Sequence, residues 1–230
     1  MSINILAIDT SGEACSAALL SQDAVIEQFQ LAPRQHNALI LPMLEQLLAE
    51  AGLTLKQLNA IAFGCGPGSF TGLRIAAGIV QGIAFAADLP VIAISTLQAL
   101  AQGAFREHGI TQAMPAIDAR INEIYWAAYE LDADQLMQAK SSEIVCAPSE
   151  IALINTGKWQ GIGSGWDAYH TILQQELGEN LQAWIPQCYI KSQDIIKLAK
   201  AAYQKGQYKP AQEAIPIYLR DQVVKEKPHG

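Results

Sequence analysis

The stretch GCGPGSFTGLR, beginning at Gly64, sets four glycines and a proline ahead of a long apolar run that reads as a helix. Many proteins hold a phosphate on backbone amides this way. It is not a Walker A loop, whose lysine reaches the outer phosphates and whose hydroxyl binds magnesium, because Gly72 is followed by Leu73 and Arg74. Nor is it a dinucleotide fingerprint, since Gly64, Gly66 and Gly68 alternate through Pro67. A tight structural turn is favoured over a phosphate cradle. Glycines admit close backbone approach, and Ser69 or Thr71 caps the helix that follows. Arg74 opposes the helix dipole and so needs a carboxylate partner or a functional contact.

Two carboxylates, Asp9 and Asp118, end similar apolar runs. Facing one cleft they could hold a hydrated metal near a phosphate, but capping the turn after each strand is the favoured reading. His36, His108, His170 and His229 show no HxxxH or HExxH spacing. There is no GxSxG elbow, and neither Cys15 nor Cys65 has a base beside it in sequence. Trp126 in YWAAY reads as core or edge packing rather than a base-stacking platform. Catalytic signal is thin throughout.

The elements that would position these groups follow from periodicity. Ile3 to Ile8, Cys15 to Leu20 and Ala24 to Phe29 read as three hairpin-linked strands. His36 to Ala51 is a helix closed by Gly52 and bent at Pro42. AIAFG and PVIAIS are strands, each followed by a helix, so the order βββ-α-β-α-β-α predicts a mixed sheet with helices on its faces. Then the pattern restarts. MPAIDARINEIYWAAYEL repeats the outline of INILAIDTSGEACSAALL, with Ala116-Ile117-Asp118 in the place of Ala7-Ile8-Asp9, so two duplicated lobes meeting at a cleft are expected. GIGSGWDAY suggests a strand, a turn and a helix start. SQDIIKLAKAAYQKG is a helix with Ser192 as its N-cap, and the tail PIYLRDQVVKEKPHG begins ordered and ends frayed.

With 230 residues, half of them hydrophobic and 16% charged, a real core is expected. The net charge of −7, with 22 acidic against 15 basic residues, argues against a chain that grips nucleic acid unaided. The four cysteines lack zinc-like spacing and no signal peptide is read, so a soluble cytoplasmic protein is expected. Two helices are too apolar for one sheet contact each. His36–Ala51 carries Leu39, Ile40, Met43 and Leu47. The helix after the glycine loop sets Ile75 and Ile79 beside the small Gly78, Gly82 and Ala86, and two internal glycines cost roughly 1 kcal/mol each. These residues, with Arg74, form a candidate partner interface.

LAIDTS at Leu6 to Ser11, PRQHNALILPML at Pro33 to Leu44, GPGSFTGLR at Gly66 to Arg74, STLQALA at Ser95 to Ala101, AIDAR at Ala116 to Arg120, GSGW at Gly163 to Trp166 and PIYLR at Pro216 to Arg220 together resemble the TsaB (YeaZ) family, accessory proteins of bacterial tRNA threonylcarbamoyladenosine synthesis. The motifs run almost end to end. The resemblance implies an α/β fold of two ribonuclease-H-like lobes, the actin, hexokinase and heat-shock-chaperone superfold, with a reduced C-terminal lobe. The expected lobes are residues 1–108 and 109–230, with the tail from about 215 returning to the first.

The resemblance also implies partners: a paralogous transferase, TsaD, in a heterodimer built from the helices His36–Ala51 and Thr71–Ala87, and a P-loop ATPase, TsaE. It implies tRNA contact only through the complex and no membrane; the unpaired apolar face favours self-association when the chain is alone, a homodimer being one form the sequence leaves open. TsaD holds a metal through an HxxxH helix. Thr96 and Leu100 stand at the aligned positions here, and neither replaces an imidazole. The implication is a non-catalytic subunit without a metal or cofactor of its own, with ATP/ADP and metal on the partner subunits. Asp9, Thr10, Ser11 and Asp118 would mark a vestigial nucleotide cleft. The rival expectations are a small-molecule phosphotransferase of the same superfold and a peptidase acting on a partner.

Overall fold

The first strands alternate their apolar residues between two faces, and that decides the architecture. In a computed structural model, which describes residues 3–151 and 157–220, Leu6 and Ile8 of β1 (Ile5–Asp9) join one apolar cluster, and Ile5 and Ala7 join another. In β2 (Ala14–Ser21), Cys15, Ala17 and Leu19 join the first cluster and Ala18 and Leu20 the second. Strands covered on both faces require helices on both sides. β3 (Ala24–Leu31) closes the edge and is half exposed.

Next come α1 (His36–Ala51), β4 (Ala60–Gly66), α2 (Phe70–Ala87), β5 (Val91–Ser95) and α3 (Thr96–His108). The first sheet has the order β3-β2-β1-β4-β5, with β4 parallel to β1 and β5 parallel to β4. The second sheet is built from β6 (Gln112–Arg120), β7 (Glu123–Trp126), β8 (Tyr129–Leu131), β9 (Met137–Ala139), β10 (Ile144–Cys146), β11 (Trp159–Ile162) and β12 (Leu181–Ile185). Its order is β10-β7-β6-β11-β12, with the β8–β9 hairpin added beside β6. Strand by strand this repeats the first sheet, with β6 in the place of β1 and β11 in the place of β4. The duplication read from the Ala-Ile-Asp repeat is real. α4 (Ser164–Leu177) follows β11 as α2 follows β4, and α5 (Ser192–Gln204) follows β12 as α3 follows β5. Where the first lobe has α1, the described part of the second has a 3₁₀ turn, Pro148–Glu150. This is the doubled ribonuclease-H-like fold with a reduced second half.

Leu6, Ile8, Ile40, Leu47, Ala76 and Val80 fill the cluster between α1, α2 and the first sheet. Between the sheets, Leu97 and Leu100 of α3 and Ile195 and Ile196 of α5 form a second cluster. Trp126 and Trp166, with rings 6.1 Å apart, anchor a third under α4, which is the packing role expected of Trp126.

Several details depart from expectation. α2 begins at Phe70, one residue earlier than read. Pro42 lies inside α1 as read, on its exposed face; there the carbonyl of Ala38, left without its amide, can bond water. Ser192 is not an N-cap, a position held by Lys191. Its hydroxyl donates to the Ser16 carbonyl at 2.9 Å, while its amide donates to the Ser16 hydroxyl at 3.1 Å. α5 lies on the first sheet although it is read with residues 109–230. Asp194 clamps it to α3 through Arg106, at 2.8 and 2.9 Å. Lys209 then pairs with Val91 of β5, which brings the segment after α5 back to the first sheet. The expected fraying concerns residues 221–230, outside the described residues.

Candidate functional site

The glycine loop between β4 and α2 is a lid, not a cradle. The Ser69 amide donates to the Ser11 carbonyl at 2.8 Å, and the Thr10 hydroxyl donates to the Gly72 carbonyl at 2.7 Å. A Cβ on Gly72 would overlap the Thr10 carbonyl oxygen, so glycine is required because two turns meet there. A phosphate needs free amides and room, and the β1–β2 turn occupies that room. Ser69 is the cap, its hydroxyl accepting from the Gly72 amide at 3.4 Å.

Asp9, Thr10 and Ser11, read as part of a vestigial nucleotide cleft, lie beneath that lid at 1%, 0% and 2% exposure. Asp9 accepts from the Ser11 amide at 3.1 Å and from its hydroxyl at 3.0 Å. Among the described residues no cation answers the charge, and burial pushes the carboxyl up to about 7. Gly64 must lack a Cβ because the Asp9 carboxylate fills the space. Asp118 accepts from the Arg120 amide at 2.9 Å and pairs with the Arg120 guanidinium at 3.2 Å. Each carboxylate thus accepts the amide two residues on, and the two duplicated strands carry the same turn device. Among the described residues no three His, Cys, Asp or Glu side chains are grouped to hold a metal ion.

At the start of α3, the Thr96 hydroxyl donates to the Pro67 carbonyl, and Leu100 is buried at 3%. Both are structural. Glu143 accepts from the hydroxyls of Ser95 and Tyr129, tying the chain after β9 to the end of β5. Burial pushes the Cys15 thiol to about 11 and the Cys65 thiol to about 12, away from the thiolate that nucleophilic chemistry needs.

The outward face of α2 is different. Arg74, Gly78, Gly82 and Ala86 are exposed, Ile75 and Ile79 half-buried, and no described residue lies within 4 Å of a Cβ placed on Gly78 or Gly82. The close packing that the two glycines imply is not supplied by the described residues. By length and composition α2 could also cross a membrane; here its inner face, through Leu73, Ala76, Val80 and Ala84, is buried on the first sheet. From α1 the interface reading needs correction. Ile40, Met43 and Leu47 are core at 0%, 8% and 0% exposure, because their stripe faces the sheet. Leu39 is half-buried, and Leu41 is exposed instead.

Sequence reasoning missed Phe85, 76% exposed, and Phe70 at the head of α2. Phe85 lies three residues after Gly82, and that spacing on the same stripe could have found it. The tail from about 215, expected to return to the first lobe, forms a C-terminal strap that the sequence reading did not place beside the candidate interface. There Ile215, Ile217 and Tyr218 are exposed beside α2. The strap is held by the Ile217 amide donating to the Cys65 carbonyl at 2.7 Å and by Gln81 donating to the Ala214 carbonyl at 3.1 Å. Arg220 joins it to Glu123 of β7. Arg74 has no carboxylate among the described residues. Its guanidinium lies 3.7 Å over the Phe70 ring, and its Nε donates to the Tyr218 hydroxyl at 3.2 Å.

A family profile described as TsaD, tRNA N6-adenosine threonylcarbamoyltransferase, matches residues 15–227. The chain is 40% identical to the tRNA threonylcarbamoyladenosine biosynthesis protein TsaB of Escherichia coli, covering 99% of each sequence. To the Haemophilus influenzae protein of the same name it is 41% identical, over 99% of this chain and 98% of that protein. The solved structure of YeaZ from Pseudomonas aeruginosa superposes with a TM-score of 0.88 at 41% identity, covering 94% of this chain and all of that one.

Proposed function

This chain belongs to the TsaB family of tRNA threonylcarbamoyladenosine biosynthesis proteins, and we propose that within that pathway it is a non-catalytic subunit that binds the TsaD paralogue and holds it in an active conformation. What carries this reading is the outward face of α2. Gly78, Gly82 and Ala86 are exposed beside Ile75, Ile79 and Phe85, with no described atom within 4 Å of a Cβ on either glycine, which lets another helix approach closely. An exposed apolar face of this kind marks a binding surface, and a standard interface buries ~800 Å² per partner.

The rest of the molecule fits a supporting role. The β1–β2 turn is sealed under the glycine loop, and Thr96 and Leu100 are engaged in packing. Metal, ATP/ADP and the acyl transfer belong to the partner subunits in this reading. TsaE joins as the ATPase, tRNA is met through the assembled complex, and the setting is the cytoplasm.

The test is a reconstitution of TsaD, TsaE, the adenylate-forming enzyme, tRNA, threonine, bicarbonate and ATP, with and without this chain. Threonylcarbamoyladenosine in digested tRNA is the readout. Modification is expected only with both this chain and TsaD present. Equal modification without this chain sinks the proposal.

A further inference from the structure

Arg74 carries chemistry that the described residues leave unfinished. Arg106, Arg120 and Arg220 each hold a carboxylate. Arg74 holds none among the described residues, in a chain with 22 acidic side chains. It is nonetheless fixed in place. The Phe70 ring supports the guanidinium from below at 3.7 Å, and the Tyr218 hydroxyl takes the Nε proton at 3.2 Å. Phe70 and Tyr218 brace each other, with ring centroids 5.5 Å apart.

Two contacts thus hold the planar fork at one end of the α2 face, and its two terminal nitrogens have no hydrogen-bond partner among the described residues. Such a fork matches a carboxylate through two parallel hydrogen bonds. Fixing it in advance removes much of the ordering cost of binding. The surroundings select what arrives. Phe70 beneath the guanidinium and Ile217, next to Tyr218 in the strap, are exposed apolar surface that a protein partner covers and a free ion does not.

We propose that Arg74, braced by Phe70 and Tyr218, is a preformed receptor for an acidic side chain of the docking partner, so that the C-terminal strap is part of the interface. This rests on the docking reading of α2 above. Tyr218 acts as a positioning residue for the guanidinium. Lysine would not substitute fully, since an ammonium cannot keep the ring contact, the Tyr218 bond and a two-point contact at once.

The test measures dissociation of the full-length chain from TsaD at low and high salt, for wild type, Arg74→Ala, Arg74→Lys, Gly82→Leu and a double variant, Asp221→Asn with Glu226→Gln. Thermal melts of the free proteins confirm folding. Arg74→Ala is expected to dissociate roughly tenfold faster than wild type and to lose most of the salt dependence, with Arg74→Lys in between. Gly82→Leu is expected to block binding through shape, whatever the salt. If Arg74→Ala behaves as wild type while Gly82→Leu blocks, the receptor proposal is wrong and the docking face stands. If neither weakens binding, the docking reading falls with it. Two other results also overturn the receptor proposal. One is the double variant losing salt dependence as Arg74→Ala does, which would place the acidic partner within this chain. The other is free ATP displacing the partner from wild type only, which would make the guanidinium a nucleotide contact.

Discussion

Replacing Asp9 by asparagine isolates the cost of a buried, uncompensated charge. The side chain is 1% exposed, its hydrogen bonds among the described residues come from Ser11, and burial pushes its carboxyl from 3.8 up to about 7. Below pH 3.8 the carboxyl is neutral in folded and unfolded chains alike, and it costs nothing. Between 3.8 and 7 the unfolded chain loses its proton first, so the folded state binds more protons and stability falls as pH rises. Above 7 the loss is complete. At 1.36 kcal/mol per pKa unit it amounts to about 4 kcal/mol, of which about 3 falls between pH 5 and pH 8. Asparagine fits the same space, still accepts from the Ser11 amide, and cannot ionise. Urea unfolding followed by circular dichroism should therefore show Asp9→Asn gaining on wild type by about 3 kcal/mol from pH 5 to pH 8, or roughly 6–12 °C in melting temperature. A stability difference that does not change with pH would refute the assignment of an uncompensated carboxylate beneath the loop.

Three further perturbations separate the docking face from the scaffold. Gly82→Leu should leave the free chain folded and about 0.5–1 kcal/mol more stable, because nothing lies near its Cβ and leucine is the better helix former, while TsaD capture is lost. Melting temperature and co-purification read the two effects separately. Gly72→Ala should destabilise by about 3 kcal/mol in denaturant titration, since its Cβ meets the Thr10 backbone. Asp194→Ala should cost about 2 kcal/mol by the same assay, less than the 3–5 kcal/mol of a fully buried pair, because the Arg106 side chain is 36% exposed and rehydrates.

The doubled lobe was legible because strand alternation and the Ala-Ile-Asp repeat are local signals, and each strand pair was read from residues close in sequence. The limits lie where one pattern serves two surroundings. On α1, Ile40, Met43 and Leu47 form a stripe that fits either a sheet or a partner, and the first sheet takes it. On α2, the small residues implied close approach, and among the described residues nothing lies within 4 Å of a Cβ on Gly78 or Gly82. Ser192 looked like a cap because hydroxyls before apolar runs usually are; its bonds run instead to Ser16, 176 positions away. No local pattern announces the strap, whose bonds to Cys65, Gln81 and Arg74 join residues more than a hundred positions apart.

That long reach has a consequence for how the molecule is made. The first sheet is synthesised early, yet the cover for its inner face includes α5, and the glycine loop is closed by Ile217, near the end of the chain. A ribosome that has just completed β5 holds a sheet whose inner apolar face lacks that helix, and α2 is still without the strap beside it. That cover arrives only once residues 192–217 have been made. Residues 1–108 cut away as a unit would keep that inner face bare and associate through it. The two lobes are repeats in topology, but the chain folds to completion only as one piece.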